Sequence, residues 1–412
     1  MLKRISVQQL TVGMHLKEFC GSWMEHPFWR TSFVITDPKD IASIQASSIK
    51  DVWIDCAKGL DVAPGVQAVS QLESEAQVDA ELHLAVKTSR QVERVPVAVE
   101  LAKAVKICAK SKEAVTSMFN EARMGKSVDT VAAQHLVEEI SDSISRNPGA
   151  LISLARLKTA DDYTYMHSVA VCALMIALAK QLGLDDEQTR AAGIAGLLHD
   201  LGKALMPMAV LNKPGKLTDA EFAIIKSHPV EGHRMLLGGS DVNPIALDVC
   251  LHHHEKMDGS GYPEHLKGDE ISLFAKMGAV CDVYDAITSN RPYKLGWDPA
   301  ESLRKMAEWT KGHFEPTIFQ AFVKSLGIYP VGSLLRLSSG RLGIVVEQSE
   351  KSLLTPHIKV FFSTKANARI APEVIDLSRP GCKETIAGRE DPDKWKFPDI
   401  NELWSGLQAS PW

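Results

Sequence analysis

The spacing of apolar residues changes along the chain and divides it into four stretches. Residues 1–65 hold short apolar runs separated by a turn and a short helix, so they predict a small α/β module. Residues 66–149 are more polar and have a helical pattern, so they predict a helical linker or the leading helices of a bundle. Residues 150–328 read as amphipathic helices, and residues 329–412 open with a β-hairpin and a further strand. The pattern predicts a multidomain, mainly α protein with a small β extension and a tail that it leaves unassigned.

Composition limits the functions that such a chain can have. A chain of 412 residues is too long for one compact core, in agreement with several folding units. No apolar run approaches the roughly 20 residues of a membrane helix, so no membrane span is expected. The seven cysteines are scattered without a CxxC pair, which favours free thiols and a cytoplasmic location. A net charge of -5 argues against binding of long nucleic acid, while a local cationic pocket could still hold a phosphate ligand.

The first candidates for chemistry are polar residues on otherwise apolar helices. His167 shares a helical face with Leu174 and Leu178 and therefore points inward. For a single histidine of this kind, a core imidazole bonded to a carbonyl is the more common explanation. His199 and Asp200 are adjacent in sequence, and neighbouring side chains diverge by about 100 degrees on a helix. They can share one metal ion only near a helix end, or reach two neighbouring ions.

Further candidates follow along the helical region. His228 stands just before Pro229, which interrupts its helix, so the side chain is predicted to be held but not enclosed. Asp282 lies among apolar residues and needs a partner. Several histidines and two aspartates on successive apolar helices favour a metal site over a core built only for stability. Imidazole and carboxylate ligands suit iron, manganese, zinc or nickel, and an excess of ligands over the needs of one ion indicates two ions.

Three motifs in order resemble one known family. The segments HDLGK, HHHEKMDGSGYP and SNRPYK are similar to those of the HD-GYP family of bacterial cyclic-di-GMP phosphodiesterases, over residues from about 150 to 328. The N-terminal segments LTVGMHL, EHPFW and VWID resemble the small domain of unknown function that often precedes this domain. The resemblance implies an all-helical HD-type bundle that carries the metal site.

The resemblance also implies a ligand set for two divalent transition metal ions, iron or manganese, with nickel or zinc as alternatives. Asp200 is the expected carboxylate bridge. His252 is the extra histidine beside the ligand pair, and it either supports the ligands from outside the metal contacts or has a structural role. Tyr163 occupies the position at which some members carry a glutamate for a third metal, so a dinuclear site is expected. The implied ligands are His167, His199, Asp200, His228, His253, His254 and Asp282.

The same resemblance implies how a substrate is bound and cut. A hydroxide that bridges the two ions attacks phosphorus, and Lys203 stabilises the developing charge or protonates the leaving ribose oxygen. Asp200 and Lys203 are therefore the expected catalytic residues. The expected substrate-binding residues are Lys203, Arg291, Lys294, Gly261, Tyr262 and Pro263. The product is linear pGpG, which further hydrolysis would convert to GMP.

Other functions remain open at this level. Within the same chemistry, cyclic GMP-AMP is an alternative substrate. A catalytically silent receptor for the dinucleotide would be expected to lack metal ligands, and none is missing for a dinuclear site. Diiron oxygenation or nucleotide phosphohydrolysis on an HD scaffold is a third class, against which the DGSGYP and RPYK segments argue. Expected partners are a diguanylate-cyclase domain at the GYP loop and a second copy of the chain in a homodimer.

Overall fold

The computed structural model divides the chain into two compact units. One comprises residues 1–83 with residues 304–313, and the other comprises residues 84–303 with residues 314–412. The structure describes the chain except residues 1, 21–31, 48, 64–67, 72, 75, 79–94, 159–162, 212, 214, 216, 240–241, 290–295, 311, 350 and 408–412.

The first unit contains a five-stranded antiparallel sheet in the order β3-β2-β4-β1-β5 with one helix, α1. Asp37 caps α1 by accepting the Lys39 N–H, and Pro38 begins the helix. The apolar core includes Leu16 and Ile54 on the sheet and Ile44 on the helix. The predicted α/β module is confirmed, although three strands of its sheet, β1, β2 and β5, were not recognised in the sequence. The elements are β1 Leu2–Ser6, β2 His15–Cys20, β3 Phe33–Val34, α1 Pro38–Gln45, β4 Asp51–Asp55 and β5 Val69–Ser70.

The second unit is mainly helical, as predicted, and its helices follow one another with short connections. The two long leading helices, α2 and α3, pack against each other and against the later helices of the bundle. The helices are α2 Val97–Arg123, α3 Thr130–Arg146, α4 Pro148–Ala155, α5 Tyr163–Leu182, α6 Asp186–Leu198, α7 Met208–Leu211, α8 Asp219–Lys226, α9 His228–Leu237, α10 Pro244–His252, α11 Leu273–Thr288, α12 Pro299–Trp309 (whose residues from 304 onward belong to the first unit) and α13 Pro316–Leu326.

Helix α5 lies at the centre of this bundle. Its segment Thr164–Leu182 is long and apolar enough to cross a membrane, which corrects the expectation that no apolar stretch reaches that length. However, 78% of this window is buried inside the protein, as expected for a core helix. Helix α6 approaches it closely because a Cβ at Gly196 would lie 2.9 Å from the Cα atom of Cys172. The small residues of α6 thus explain the close packing predicted around the HD pair.

A five-stranded antiparallel sheet follows the bundle, in the order β10-β6-β7-β8-β9. The predicted hairpin and further strand are confirmed as β6, β7 and β8. Strands β9 and β10 were not recognised in the sequence. The unassigned tail, which starts at Glu390, contains two short helices, and Trp404 anchors it with only 4% of its surface exposed. The elements are β6 Leu334–Leu337, β7 Arg341–Glu347, β8 His357–Ser363, β9 Ala368–Asp376, β10 Ile386–Arg389, α14 Pro392–Trp395 and α15 Ile400–Ser405.

Asp298 joins the bundle to this sheet. One carboxylate oxygen accepts the N–H groups of Ala300 and Glu301, and the other accepts the N–H of Leu334 at 2.9 Å. Burial raises the pKa of this carboxyl to about 6.

We expect Asp298→Ala to lower the free energy of unfolding by about 1–3 kcal/mol, because it leaves buried N–H groups without a hydrogen-bond acceptor. Chemical denaturation measures this loss, and Asp185→Ala, at the exposed cap of α6, is the control with the smaller loss. An Asp298 variant that is as stable as the wild-type protein would contradict this role.

Candidate metal centre

The His-Asp pair lies at the end of a helix, where two adjacent side chains can face one point. Helix α6 ends at Leu198, and His199 and Asp200 connect it to the short 3-10 helix Leu201–Leu205. A Cβ at Gly202 would lie only 1.9 Å from the carbonyl oxygen of His228, so no side chain fits there. Glycine at this position therefore lets the two segments approach each other.

The two oxygens of the buried Asp200 carboxylate face different histidines. Oδ2 lies 3.4 Å from His167 Nε2 and 3.3 Å from His199 Nε2. Oδ1 lies 3.1 Å from His228 Nε2 and 3.8 Å from His253 Nε2. One carboxylate thus stands between two pairs of imidazoles, which is the geometry expected of a bridging ligand.

A second carboxylate closes the cluster from helix α11. Asp282 Oδ1 lies 2.9 Å from His167 Nε2 and 3.9 Å from His199 Nε2, and Oδ2 lies 3.7 Å from His254 Nδ1. Within the described part of the chain, three groups of residues have ligand atoms within 4.8 Å of one another. They are His167, His199 and Asp282; His199, Asp200 and His253; and His228, His253 and His254.

In three of the histidines, the Nδ1 atom that faces away from the cluster contacts a backbone carbonyl oxygen. His199 Nδ1 lies 2.8 Å from the Gly196 carbonyl oxygen, His228 Nδ1 lies 2.7 Å from that of Ile225, and His253 Nδ1 lies 3.0 Å from that of Val249. A carbonyl only accepts, so each Nδ1 carries the hydrogen and each Nε2 presents a lone pair to the cluster. Three imidazoles are thereby held in the tautomer that binds a metal through Nε2.

The charges of the cluster also fit a metal. Burial and the neighbouring His199 and His228 lower the pKa of His253 to about 3, so this imidazole is neutral. Burial also lowers the pKa of His228 and that of His254. Burial opposes the charge of Asp200, but the Lys203 ammonium and the neighbouring imidazoles outweigh it and hold the pKa of this carboxyl well below its usual value. Neutral His228, His253 and His254 beside an ionised carboxylate have the protonation states that metal ligands require. For His167, burial is outweighed by the Asp282 and Asp285 carboxylates, which raise the pKa of this imidazole.

Two observations test whether a cation belongs at this point. His228 Nε2 and His253 Nε2 lie 3.3 Å apart, and both are lone-pair acceptors, so their close approach requires a positive charge between them or beside them. Among the described side chains, the buried atoms His199 Nε2 and Asp200 Oδ1 have no hydrogen-bond partner. Buried polar atoms rarely remain unsatisfied, and ligation is one way in which such atoms gain a partner. The residues present therefore fit a bound metal.

His228 corrects one expectation from the sequence. It was predicted to be held at a broken helix end without being enclosed, but only 1% of its surface is exposed. Helix α8 ends at Lys226, and a new helix begins at His228 itself with Pro229 in its first turn. Proline is tolerated in a first turn, so the break redirects the chain without exposing the histidine.

The third histidine of the HHH run has a different environment. His252 Nδ1 lies 2.8 Å from Asp248 Oδ1, and its Nε2 lies 3.3 Å from Glu264 Oε2. His252 thus connects helix α10 to the loop that follows, and it is not part of the three clustered groups.

The GYP loop lies against the cluster. A Cβ at Gly261 would lie 2.5 Å from the Cα atom of Glu255, so only glycine allows this approach. The ring of Tyr262 stacks on His254, with centroids 4.7 Å apart and an interplanar angle of 27°. The stacking face predicted for a ligand is therefore shared with an imidazole. Pro263 follows, and the Glu264 N–H donates to Glu255 Oε1 at 2.7 Å.

The other predicted cations are placed as follows. Lys203 Nζ donates to Asp200 Oδ2 at 2.6 Å, and 20% of the lysine side chain is exposed. It stands at the edge of the cluster, in reach of both solvent and the carboxylate. Arg291 and Lys294 lie outside the described residues, as do the EHPFW segment and the side chain of Tyr163.

The sequence analysis missed two residues behind the cluster. Asp285 Oδ2 lies 2.6 Å from His167 Nδ1, and Lys158 forms a buried ion pair with the same oxygen. Asp285 follows Asp282 by three residues on the apolar helix α11, so both carboxylates lie on one face. Asp285 could have been identified in the sequence as a second aspartate on the apolar face that carries Asp282. No sequence pattern pointed to Lys158.

Comparisons with known proteins identify the domains of the chain and its relatives. A domain of unknown function matches residues 2–133, and an HD domain matches residues 138–318. The chain is 54% identical over 411 residues, 100% of this chain and 97% of the relative, to the cyclic di-GMP phosphodiesterase PA4108 of Pseudomonas aeruginosa. It is 36% identical to the cyclic di-GMP phosphodiesterase response regulator RpfG of Xanthomonas campestris, over 46% of this chain and 51% of the relative. It is 35% identical to the 3'3'-cGAMP-specific phosphodiesterase 1 of Vibrio cholerae, over 40% and 38%.

The helical fold and the clustered histidines and aspartates define an HD-type metal-dependent hydrolase. The chain belongs to the HD-GYP family of cyclic di-GMP phosphodiesterases, with the small N-terminal domain that the sequence resemblance predicted. That resemblance is therefore confirmed. Membership in the HD superfamily implies binding of divalent metal, for which the cluster supplies the ligands.

Proposed function

We propose that this protein hydrolyses cyclic-di-GMP to linear pGpG at a dinuclear metal centre, and that slower cleavage of pGpG to GMP can follow. The observation that carries the proposal is the buried Asp200 carboxylate, whose two oxygens face separate pairs of imidazoles. Support also comes from the 54% identity, over the whole chain, to a protein named cyclic di-GMP phosphodiesterase.

Two divalent ions fit the ligands as two sets that share Asp200. We assign His167, His199 and Asp282 to one set, and His228, His253 and His254 to the other. Imidazole and carboxylate ligands without thiolate suit iron or manganese, with nickel or zinc as alternatives. When bound, such ions supply Lewis acidity and lower the pKa of water towards neutrality.

The protein's own residues then orient and assist the reaction. Asp200 holds the two ligand sets at a fixed separation, and the carbonyls behind the imidazoles keep their lone pairs directed inward. Lys203 Nζ, at the edge of the cluster, is positioned to stabilise charge on a phosphate oxygen. It can also give a proton to the departing ribose oxygen.

The loop beside His254 forms one wall of the proposed substrate site. Gly261 brings its backbone close to the cluster, and Tyr262 and Pro263 complete the wall. Arg291 and Lys294 are proposed to grip the second phosphate, because a guanidinium fork and an ammonium both suit phosphate oxygens.

The neighbouring histidines His252 and His253 provide a matched pair of variants. We expect His252→Ala to keep both ions, because this side chain bonds Asp248 and Glu264. We expect His253→Ala to lose at least one ion, because its Nε2 faces Asp200 and His228. Metal analysis of the two purified proteins measures the difference. Loss of an ion only in the His252 variant would show that the ligand pair was chosen wrongly.

The base specificity of the site is tested with two dinucleotides. We propose cyclic-di-GMP as the preferred substrate, because relatives named for it include one that matches the chain over its full length. Three relatives named for cGAMP match over 36%, 40% and 41% of the chain. A comparison of kcat/KM for cyclic-di-GMP and 3'3'-cGAMP is expected to favour the former. A preference for the latter would reassign the substrate. Binding of cyclic-di-GMP by metal-loaded protein without product would favour a receptor function.

We further propose a cytoplasmic protein, since all seven cysteines are free thiols and the apolar helix α5 is buried within the bundle. Tyr262 and Pro263 are partly exposed, which is compatible with contact to a diguanylate-cyclase domain, and a homodimer is the proposed assembly. Sedimentation with and without a diguanylate-cyclase domain tests both contacts. A monomer that binds no such domain would contradict them.

A further inference from the structure

The histidines of the centre differ in the hydrogen-bond partner of their Nδ1 atom. His199, His228 and His253 each donate from Nδ1 to a backbone carbonyl. His167 instead has a carboxylate, Asp285 Oδ2, at 2.6 Å from its Nδ1. A carboxylate partner makes an imidazole a more basic ligand and fixes its orientation more strongly than a neutral carbonyl does. The two proposed ligand sets differ in Asp282 against His254, and Asp285 adds a further difference next to His167.

Asp285 lies in a buried network with balanced charge. Its Oδ2 is shared between His167 Nδ1 and the Lys158 ammonium, and its Oδ1 accepts the Ser289 hydroxyl at 3.1 Å. Lys158 is 2% exposed and Asp285 is 3% exposed. Burial opposes the charge of Asp285, but Lys158 and His167 outweigh it, so the pKa of this carboxyl lies below its usual value. A lysine enclosed in a helical bundle is rare unless it is paired.

We propose that Asp285, with its charge balanced by Lys158, is a positioning residue that holds His167 with Nε2 directed at Asp200 and Asp282. The ion bound by His167, His199 and Asp282 is consequently held more tightly than it would be with a neutral partner behind His167. This inference rests on the proposed dinuclear centre. Loss of such an outer partner typically weakens metal binding by about 10–100-fold.

A purely structural role is the competing explanation, because a buried ion pair can simply join α11 to the segment that follows α4. The two explanations differ in which ion they affect. A structural role would weaken the whole bundle and both ligand sets together. The positioning role acts on the set that contains His167 and leaves the set of His228, His253 and His254 nearly unchanged.

The variants must remove the carboxylate without leaving a buried charge. Asp285→Asn alone strands the Lys158 ammonium, so the main variant is the double substitution Lys158→Met with Asp285→Asn. Asparagine has nearly the same shape as aspartate and still accepts a hydrogen bond from His167. A loss of metal binding would therefore result from removal of the negative charge. The control is Glu100→Gln with Arg146→Met, because Glu100 is also fully buried and pairs with Arg146 in the same bundle.

The test uses manganese binding to the metal-free, full-length proteins, followed by metal analysis and electron paramagnetic resonance. The wild-type and control proteins are expected to bind two ions, and the main variant to bind one ion normally and the other about 10–100-fold more weakly. At intermediate manganese, that variant alone should show the six-line spectrum of an isolated ion. Unchanged binding of both ions, or equal weakening of both, in a folded variant would overturn the positioning role. Failure of the wild type to bind two ions would instead refute the dinuclear centre.

Discussion

Replacing Asp200 by alanine is expected to leave at most one ion in the protein and to reduce hydrolysis of cyclic-di-GMP by at least about 10³-fold. Both oxygens of this carboxylate face imidazoles, so the substitution removes a ligand atom from each proposed set. It also leaves His199, His228 and His253 without the negative charge that compensates a divalent ion. Metal analysis and a timed assay on the same sample measure the two losses together.

The matched control for Asp200 lies at the other end of the same helix. Asp185 caps α6 by accepting the Gln188 N–H, far along the helix from the cluster. Asp185→Ala should cost about 1 kcal/mol of stability and keep both metal content and activity. An Asp200 variant that retains two ions and full turnover would show that the carboxylate does not bridge them.

Replacing Lys203 by methionine is expected to have the second largest effect. Metal content should stay near that of the wild type, while kcat falls by about 10²–10³-fold. The ammonium contacts Asp200 Oδ2 yet remains partly exposed, so it can reach a substrate oxygen that the buried residues cannot. Lys203→Arg keeps the positive charge and should recover part of the loss if charge stabilisation dominates, but little if proton donation does.

A second lysine serves as the control for this substitution. Lys213 Nζ lies 2.6 Å from Oε2 of Glu221, a residue of helix α8. We expect Lys213→Met to leave kcat unchanged. Metal loss in the Lys203 variant would make Lys203 a support for the ligands, and unchanged kcat would remove it from the chemistry.

Much of the fold followed from local patterns. Helix α2 begins directly after Pro96, and capping boxes at Asp185 and Thr218 begin α6 and α8. These features depend on neighbouring residues, so a single sequence contains them. Strands β9 and β10 and the two short helices of the tail depend on contacts with distant residues, which a local pattern does not reveal.

The candidate site was predictable in its residue types and less so in its geometry. An excess of histidines and aspartates on apolar helices indicated a metal, and the family motifs supplied the expected ligands. The enclosure of His228 was missed because it depends on how α8 and α9 pack, which the break at Pro229 does not determine. Asp285 and Lys158 were missed because their pairing joins residues 127 positions apart.

The most direct test of the dinuclear phosphodiesterase is a timed hydrolysis of cyclic-di-GMP by anaerobically purified protein loaded with iron or manganese, with metal counted on the same sample. If Asp200 bridges two ions as proposed, the sample should contain about two ions per chain and form pGpG as the first product, with any GMP appearing later. Two bound ions with nucleotide binding but no pGpG would contradict the proposed activity. Hydrolysis that persists unchanged after complete removal of metal would contradict the centre itself.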